Sequence, residues 1–447
     1  MRSRIRFGLA AIVMVVLTTA APASARSLSA QAYSAGLVAY VHGYPPLLSS
    51  MSQASFPVNR LVSIDATTTP AQTLVVLPNV DTAYSVARLD LRAGPRIVHV
   101  PAMLGRYYSL QLMDAYTNVV GYVASRLHDG AGDYAIVGPQ WHGTVPRVAG
   151  TLHSPTNDAL MLGRTLVNGP DDLIAVGALL GQLTLRGMTD PAAPASIVLP
   201  APPARQPPTL PTGLAFFDAV DNVLAADPPA AAEQRALKPL RRFGIGAELQ
   251  TSTADLPAAV KRALVRAAHD GPALVDKLVQ ARAARASGGW STLDLRTGDA
   301  GTNYELRAVV ARVGLWANTP QEATYFTATR DARGHLLSGA HRYALTFPTP
   351  PPARAFWSLT MYDQDLHLYA NALDRYAIGD RTPGLRRGRG GALTLTLQQR
   401  QPSAGPANWL PAPAGRFVVT LRLYVPSAAA AGGHYIPPGI TCLDCRP

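Results

Sequence analysis

Two aspartates lie at the ends of two strand-like segments that have nearly the same sequence pattern. GRYYSLQLMDAYTN at 105–118 alternates apolar and polar residues up to Asp114, and RAFWSLTMYDQD at 354–365 does so up to Asp363. Because side chains alternate across a strand, each aspartate extends the core-facing row, where an ionised carboxylate needs donors around it. Two interpretations stay open: each carboxylate accepts N–H bonds from its own turn, or it lies at the mouth of a β-domain and binds an arginine or a ligand.

A third carboxylate precedes another predicted strand, in the segment PNVDTAY at 78–84. Turn building accounts for Asn79 and Asp81. The segment is also one predicted hairpin away from Arg106 and Asp114, and such a group would suit bidentate contacts and stacking with a polar ligand. The candidate catalytic carboxylates are therefore Asp81, Asp114 and Asp363. The candidate ligand-binding residues are Asn79, Tyr84, Arg106, Tyr108, Asn118, Trp357, Asn371 and Arg375.

The sequence predicts no metal site and no cofactor. Asp363, Asp365 and His367 would face one way in an extended chain and form a possible ligand set, but the sequence offers no evident fourth ligand. The usual GxSxG, SxxK, HExxH, Walker and helix-opening GxGxxG patterns are missing, which disfavours the common serine hydrolases, metalloproteases and nucleotide enzymes. Whether the protein is an enzyme stays open.

Both cysteines of the chain lie in the segment CLDC at 442–445. In an oxidising compartment Cys442 and Cys445 are predicted to form a disulfide that closes a very small loop. A zinc site would need about four ligands, and only His434 is close in sequence.

The first 25 residues have the pattern of a cleaved secretory signal. Arg2, Arg4 and Arg6 surround the start of an apolar run that is followed by Ala23-Ser24-Ala25, so cleavage is expected after Ala25 and the location is expected to be periplasmic or secreted. Without these arginines the formal net charge falls from +12 to +9. The one local basic cluster, Arg386-Arg387-Gly388-Arg389, lies among glycines and is interpreted as a solvated loop rather than a nucleic-acid surface. No second long apolar run predicts a membrane span.

The hydrophobic period changes twice along the mature chain. Short alternating runs separated by Pro, Gly, Asn and Asp at 73–138 are typical of a β-sandwich. NGPDD at 168–172 is a helix-start signal, and helical patterns follow beyond a Pro-rich linker at about 213–225, 229–242 and 256–286. A stripe of Leu306, Val310, Val313 and Ala317 predicts one more helix with that face buried, and strict alternation then returns. We therefore predict a signal at 1–25, a first helix and N-terminal β-sandwich at 26–168, a helical segment at 169–320 and a C-terminal jelly-roll-like β-sandwich at 321–447.

Several segments together resemble a bacterial family of exported proteins with paired domains of unknown function, 1254 at the N-terminal side and 1214 at the C-terminal side. The matching segments are AYVHGYP at 39–45, PNVDTAYS at 78–85, 105–118, GTNYELRAVVARVGLWANTPQEATY at 301–325, FWSLTMYDQDLHLYANALDRYAIGDRT at 356–382 and NWLPAPAGRFVVTLRLYVP at 408–426. The resemblance implies an immunoglobulin-like sandwich, a helical segment and a jelly-roll sandwich, and it implies no established reaction. His42 stands where the family usually carries an aromatic residue, and His367 and the CLDC tail are not family features.

Residues that match the family's motifs include most of the candidate site. They are Asn79, Asp81, Tyr84, Arg106, Tyr108, Asp114, Asn118, Asn303, Tyr304, Arg307, Trp357, Asp363, Asn371, Arg375, Asp380, Arg381, Asn408 and Trp409.

We predict an exported protein that binds a glycan or a small polar ligand at the end of a sandwich or in an interdomain cleft, without a nucleic-acid partner. One alternative is a carbohydrate-active or other envelope-acting hydrolase or lyase, with Asp114 and Asp81, or Asp363 and Asp365, as acid and base. Carboxyl groups about 5 to 9 Å apart in an open cleft would favour this alternative, whereas hydrogen bonds from each carboxylate to its own turn would remove it. The other alternative is a structural envelope scaffold.

Overall fold

The computed structural model describes residues 27–73, 76–125, 130–190, 196–200, 208–246, 253–283 and 287–445. The predicted signal peptide at 1–25 lies outside these residues. No helix in the described ranges is long and apolar enough to cross a membrane.

The N-terminal β-domain consists of two sheets that enclose one apolar core. Its strands are β1 (Val62–Ile64), β2 (Thr82–Asp90), β3 (Arg96–Val100), β4 (Tyr108–Asp114), β5 (Val119–Ser125), β6 (Gly132–Val137), β7 (Gly150–His153), β8 (Asp158–Leu166), β9 (Thr184–Gly187) and β10 (Ile197–Leu199). The six-stranded sheet has the order β10-β1-β2-β8-β4-β5, and the four-stranded sheet has the order β7-β6-β3-β9. Leu110 and Met161 of the first sheet share a core with Val98 and Ile136 of the second.

Five of the seven α-helices in the described residues form a second body against this domain. The helices are α1 (Leu28–Gln53), α2 (Leu173–Gln182), α3 (Leu214–Ala226), α4 (Ala231–Leu237), α5 (Ala258–Ala283), α6 (Tyr304–Gly314) and α7 (Ala428–Ala431), of which α2 and α7 pack on the β-domains. Helix α1 packs on α3, α5 and α6 in one core that includes Tyr40, Phe216, Phe217 and Leu264. Helix α2 instead places Val176 and Leu180 in the core of the N-terminal β-domain.

The C-terminal β-domain repeats the two-sheet plan. Its strands are β11 (Trp290–Thr292), β12 (Ala323–Ala328), β13 (Tyr343–Phe347), β14 (Ala353–Asp363), β15 (Ala377–Gly379), β16 (Leu393–Gln398), β17 (Trp409–Pro411), β18 (Phe417–Pro426) and β19 (Thr441–Cys442). The five-stranded sheet has the order β11-β12-β18-β14-β15, and the four-stranded sheet has the order β17-β16-β13-β19. The alternating leucines of β16 face those of β18 across a shared core.

The multidomain α+β class is confirmed, whereas the immunoglobulin-like and jelly-roll descriptions stay predictions. The helix expected after NGPDD begins at Leu173. The structure groups the elements differently from the sequence analysis: α1 belongs with the middle helices, β9 and β10 complete the N-terminal sheets, and β11 joins the C-terminal one. Periodicity assigns an element its type, but only the packing partner decides its domain.

The stripe predicted for α6 is wrong in part. Leu306 is buried, but Val310 and Val313 are only half-buried, and Ala317 lies beyond the end of the helix at Gly314. Ala308 and Val309 are buried instead because α6 packs between the helical core and a cavity described below, so more than one face is covered.

Substitution of Gly379 tests how tightly β15 packs on β14. An added Cβ would lie 2.2 Å from the Trp357 carbonyl oxygen, so the backbone would have to shift. We expect Gly379→Ala to lower the free energy of unfolding by about 1–3 kcal/mol in chemical denaturation. Gly415→Ala is the control, because nothing lies within 4 Å of its added Cβ. Equal stability of the two variants would contradict this account.

Candidate functional site

The strand-end aspartates hold the turns that follow them, as the first interpretation predicted. The Oδ1 atom of Asp114 accepts hydrogen bonds from the backbone N–H groups of Tyr116 at 2.9 Å and Asn118 at 2.8 Å. The Oδ1 atom of Asp363 accepts equivalent bonds from Asp365 and His367, both at 2.9 Å. In each turn the residue three positions after the aspartate has a positive φ, 66° at Thr117 and 67° at Leu366.

The same turn recurs at two further places. Asp331 accepts from the N–H groups two and four residues ahead, and Asn371 does the same, with positive φ values at Gly334 and Asp374. The predicted ligand residue Asn371 therefore engages its own turn, and Arg375 donates to the carbonyl oxygens of Pro406 and Trp409. This recurrence indicates that the Asx-turn is a structural unit of the fold.

Asn79 and Asp81 lie where the two β-domains meet. Asn79 Oδ1 accepts from the Asp81 N–H at 2.6 Å, and Asn79 Nδ2 donates to the Tyr424 hydroxyl of β18 at 2.7 Å. Asp81 accepts from Arg381 Nη2 at 2.6 Å and from the Ser358 hydroxyl of β14. We call Asn79, Asp81, Ser358 and Arg381 the interdomain seam.

Further contacts surround the interdomain seam. The Tyr362 hydroxyl donates to the Pro78 carbonyl at 2.6 Å, and Arg422 Nη2 donates to the Leu77 carbonyl at 2.6 Å. Tyr107 and Phe356 pack edge to face with ring centroids 5.3 Å apart, one from each β-domain. The candidate residue Asp81 is therefore fully engaged in joining the domains.

A cavity of about 270 Å³ lies beside the seam, where the two β-domains and helices α5 and α6 converge. We call it the junction cavity. Asn79 and Tyr84 are the two predicted ligand-binding residues that line it. Its other polar lining includes Arg164, Arg282, Asp294, Tyr325, Thr327, Thr420, Arg422 and Tyr424, and its apolar lining includes Val279, Leu306, Val309, Val313, Leu315, Trp316 and Val418.

Two buried arginines set the electrostatics of the junction cavity. Arg164 donates to Gln111 Oε1 at 2.7 Å, Asn318 Oδ1 at 3.1 Å and the Trp316 carbonyl at 2.8 Å. Arg422 donates to Thr360 Oγ1 at 2.9 Å and to the Leu77 carbonyl oxygen at 2.6 Å. Arg164 is only 6% exposed and Arg422 is only 3% exposed. Within the described part of the chain, these hydrogen bonds all go to neutral acceptors.

Tyrosines surround both guanidinium groups. Burial alone would lower the pKa of Arg164, but interaction with Tyr325, Tyr84 and Tyr424 keeps that pKa above its ordinary value. Burial also lowers the pKa of Arg422, and Tyr362 and Tyr424 reverse that effect. Both arginines are therefore cationic at every physiological pH, and the cavity holds a localised positive potential.

The remaining predicted residues lie outside the junction cavity. Arg106 forms a bidentate ion pair with Asp172 at the start of α2. Tyr108 and Trp357 are buried in the cores of the two β-domains, and Asn118 Nδ2 donates to Asp114 at 2.9 Å. These four assignments remain predictions that our proposal below does not use.

A separate buried ion cluster lies beneath α1. His42 Nε2 is 3.1 Å from Glu233 Oε2, which also accepts from Arg307 Nη2 at 2.9 Å. Burial lowers the pKa of His42, and although burial raises that of Glu233, its hydrogen bonds to His42 and Arg307 bring it below the ordinary value. The cluster ties α1, α4 and α6 together, and the histidine that departs from the family pattern is one of its members.

Sequence reasoning missed Arg164 and Arg422. Each is a single charged residue inside an otherwise apolar strand, in ALMLGRTL and in FVVTLRLYV. Because a lone charge in a buried strand needs a partner, that pattern is a usable signal.

Removal of the Asp81 charge is expected to weaken the interdomain seam. Asp81 is 8% exposed in its side chain and Arg381 is 24% exposed, so Asp81→Asn removes the close carboxylate of a largely buried guanidinium and leaves it only the more distant Asp380, at 3.7 Å. We expect a loss of about 2–4 kcal/mol in the free energy of unfolding. Asp276→Asn is the matched control, since it breaks a pair with Arg312 that is 46% and 48% exposed and should cost less than about 1 kcal/mol. Similar costs for both variants would contradict a structural role for Asp81.

Titration of Asp114 gives the fold a pH dependence with a definite sign. Burial raises the pKa of Asp114 from 3.8 to about 6, although the bonds from Asn118 and Tyr116 favour the ionised form. The folded chain then binds this proton more tightly than the unfolded chain, so stability falls as pH rises from about 4 to about 6. Relative to Asp114→Asn, the wild-type protein should lose about 1–3 kcal/mol across that range in denaturant titrations. A gain in stability would instead show that the turn's hydrogen bonds prevail over burial.

Comparisons with known proteins agree with this architecture. The family described as "Protein of unknown function (DUF1254)" matches residues 58–187, and "Protein of unknown function (DUF1214)" matches residues 322–428.

The VPA0106 protein from Vibrio parahaemolyticus is similar in fold, with a TM-score of 0.68, 22% identity and coverage of 92% of this chain and 100% of that one. A putative uncharacterized protein from Burkholderia cenocepacia gives a TM-score of 0.45 at 14% identity, covering 96% and 92% of the two chains. No curated protein matches. The chain therefore belongs to the proteins that pair a DUF1254 domain with a DUF1214 domain.

Proposed function

We propose that the protein binds a small organic anion in the junction cavity. The observation that carries this proposal is the pair of buried guanidinium groups, Arg164 and Arg422, whose hydrogen bonds go to neutral acceptors. A buried cation is stabilised far better by an anion than by neutral dipoles, because desolvation costs several kcal/mol. A carboxylate that enters the cavity supplies that charge.

The walls of the junction cavity narrow the class of ligand. Its lining combines an apolar part, which includes Leu306, Val309 and Val313 of α6 and Trp316, with a polar part that contains the tyrosines and arginines. An uncharged glycan would leave its hydroxyl groups against aliphatic side chains. A monocarboxylate with an apolar body satisfies both parts, so we narrow the predicted glycan or small polar ligand to an amphipathic carboxylate.

Paired-carboxylate catalysis receives no support from the three candidate aspartates. Asp114 and Asp363 bind their own turns, and Asp81 binds Arg381 and Ser358. The hydrogen bonds of Asp114 and Asp363 to their own turns are those expected to remove acid–base chemistry, and the Asp81 carboxylate is already bound to two side chains of the other domain. A binding role therefore accounts for the geometry with fewer assumptions, and the scaffold alternative becomes an outcome of the test below.

We also propose that the protein is exported and acts outside the cytoplasm. The signal-like pattern at 1–25 and the disulfide between Cys442 and Cys445 support this location. We retain the immunoglobulin-like and jelly-roll classes for the two β-domains as part of the same proposal, since each domain encloses one core between two sheets.

The binding proposal predicts a charge-dependent thermal shift. Aliphatic and aromatic monocarboxylates should raise the melting temperature of the mature protein by mass action, whereas the matched primary amides should not. Titration calorimetry then gives the affinity of the best carboxylate. We expect Arg164→Met and Arg422→Met each to weaken it at least tenfold, because a charge-assisted contact is lost.

Arg312→Met serves as the matched control, since Arg312 is an exposed arginine outside the cavity. The melting temperature of each variant without ligand checks its folding. If carboxylates and amides act alike, or if the cavity variants bind as well as the control, the junction cavity is not an anion site and the scaffold role is favoured.

A further inference from the structure

Four side chains that can bind a metal lie together at the C-terminal tail. One of them, His341, is far from the other three in sequence. Strand β19 pairs with β13 and sets Cys442 opposite Tyr343. This register places the tail beside His341, whereas the sequence analysis considered only His434. One donor atom each from His341, Cys442, Asp444 and Cys445 lies within 4.8 Å of all the others.

We propose that His341, Cys442, Asp444 and Cys445 form a zinc site once the disulfide between the two cysteines is reduced. Two thiolates, one imidazole and one carboxylate are a four-ligand set that Zn²⁺ accepts in tetrahedral geometry. Bonds of about 2.0–2.3 Å to a central ion require ligand atoms no farther apart than about 4 Å. The cluster is therefore close to the required size before any metal binds.

The surroundings of the cluster support a metal. Arg342 donates from its backbone N–H to Asp444 Oδ1 and from Nε to Oδ2, both at 3.0 Å, and these contacts orient the carboxylate. Two thiolates and one carboxylate with Zn²⁺ carry one net negative charge, and the Arg342 guanidinium offsets it.

Reduction and metal binding are separate, balanced steps. A dithiol reductant transfers two electrons and two protons to the Cys442–Cys445 disulfide, which gives two thiols and the oxidised cyclic disulfide of the reductant. Zn²⁺ then replaces the two thiol protons, which pass to solvent. Because the two sulfurs of the disulfide are bonded to each other and carry no charge, the oxidised tail lacks thiolate ligands. Disulfide and zinc are therefore mutually exclusive states of one site.

A cobalt titration tests the proposal directly. The full mature chain is reduced with dithiothreitol, desalted under argon and titrated with Co²⁺, while a second sample stays oxidised. We expect one Co²⁺ per reduced chain, seen as a thiolate-to-cobalt absorption band that Zn²⁺ abolishes, and no such band for the oxidised chain. His341→Ala should weaken Co²⁺ binding at least tenfold, and His335→Ala, at another exposed histidine, should not.

A second readout needs no variant. Zn²⁺ should slow alkylation of both cysteines of the reduced wild-type chain by N-ethylmaleimide at least tenfold. The proposal is overturned if the reduced chain shows no band, if His341→Ala folds and binds as tightly as His335→Ala, or if Zn²⁺ leaves alkylation unchanged. The junction cavity plays no part in this experiment, so its outcome is independent of the proposed function.

Discussion

The fold depends on how the two β-domains pair the polar groups that their contact buries. Asp81 is the key group, because its backbone N–H binds Asn79 while its carboxylate binds Arg381 and Ser358 of the other domain. Neither carboxylate nor guanidinium tolerates burial alone, so the domains gain stability only in the one arrangement that brings both together. The interdomain seam therefore fixes how the two β-domains are arranged relative to each other, and it also stabilises their contact.

The Asx-turns extend the same principle to the other contacts between bodies. The turn at Asp114 places Tyr116 in the helical core, where its hydroxyl donates to the Asp227 carbonyl. The turn at Asp363 places Leu366 against the N-terminal β-domain, where its carbonyl accepts from the Leu77 N–H at 2.9 Å. Each aspartate thus shapes a rigid loop whose tip contacts a neighbouring body, which explains why the two strands end in nearly the same sequence.

Local chemistry determined what the sequence could predict. The Asp114 and Asp363 turns involve partners within four residues, and NGPDD begins the next helix, so these features follow from neighbouring residues alone. The partners of Asp81 are 277 and 300 residues away, and strand register sets Arg164 beside Tyr84 and Arg422 beside Tyr325. The contacts of Asp81 depend on how whole domains dock, and the two register pairs depend on how distant strands of one sheet align. No periodicity in one segment contains that information.

The buried arginines of the molecule differ in whether a carboxylate of the chain binds them. Two that are bound by neutral acceptors line the junction cavity. Glu233 holds Arg307, and Asp81 holds Arg381, so these charges are compensated within the chain. Arg164 and Arg422 lie near the same seam, but their hydrogen bonds go to neutral acceptors. Asp81 acts on Arg422 electrostatically, but its carboxylate is already bonded to Ser358 and Arg381. Arg307 and Arg381 each bind a carboxylate of the chain, whereas Arg164 and Arg422 bring positive charge without one to the place where three bodies enclose a cavity. An anionic ligand would give these two guanidinium groups the kind of partner that Arg307 and Arg381 have within the chain.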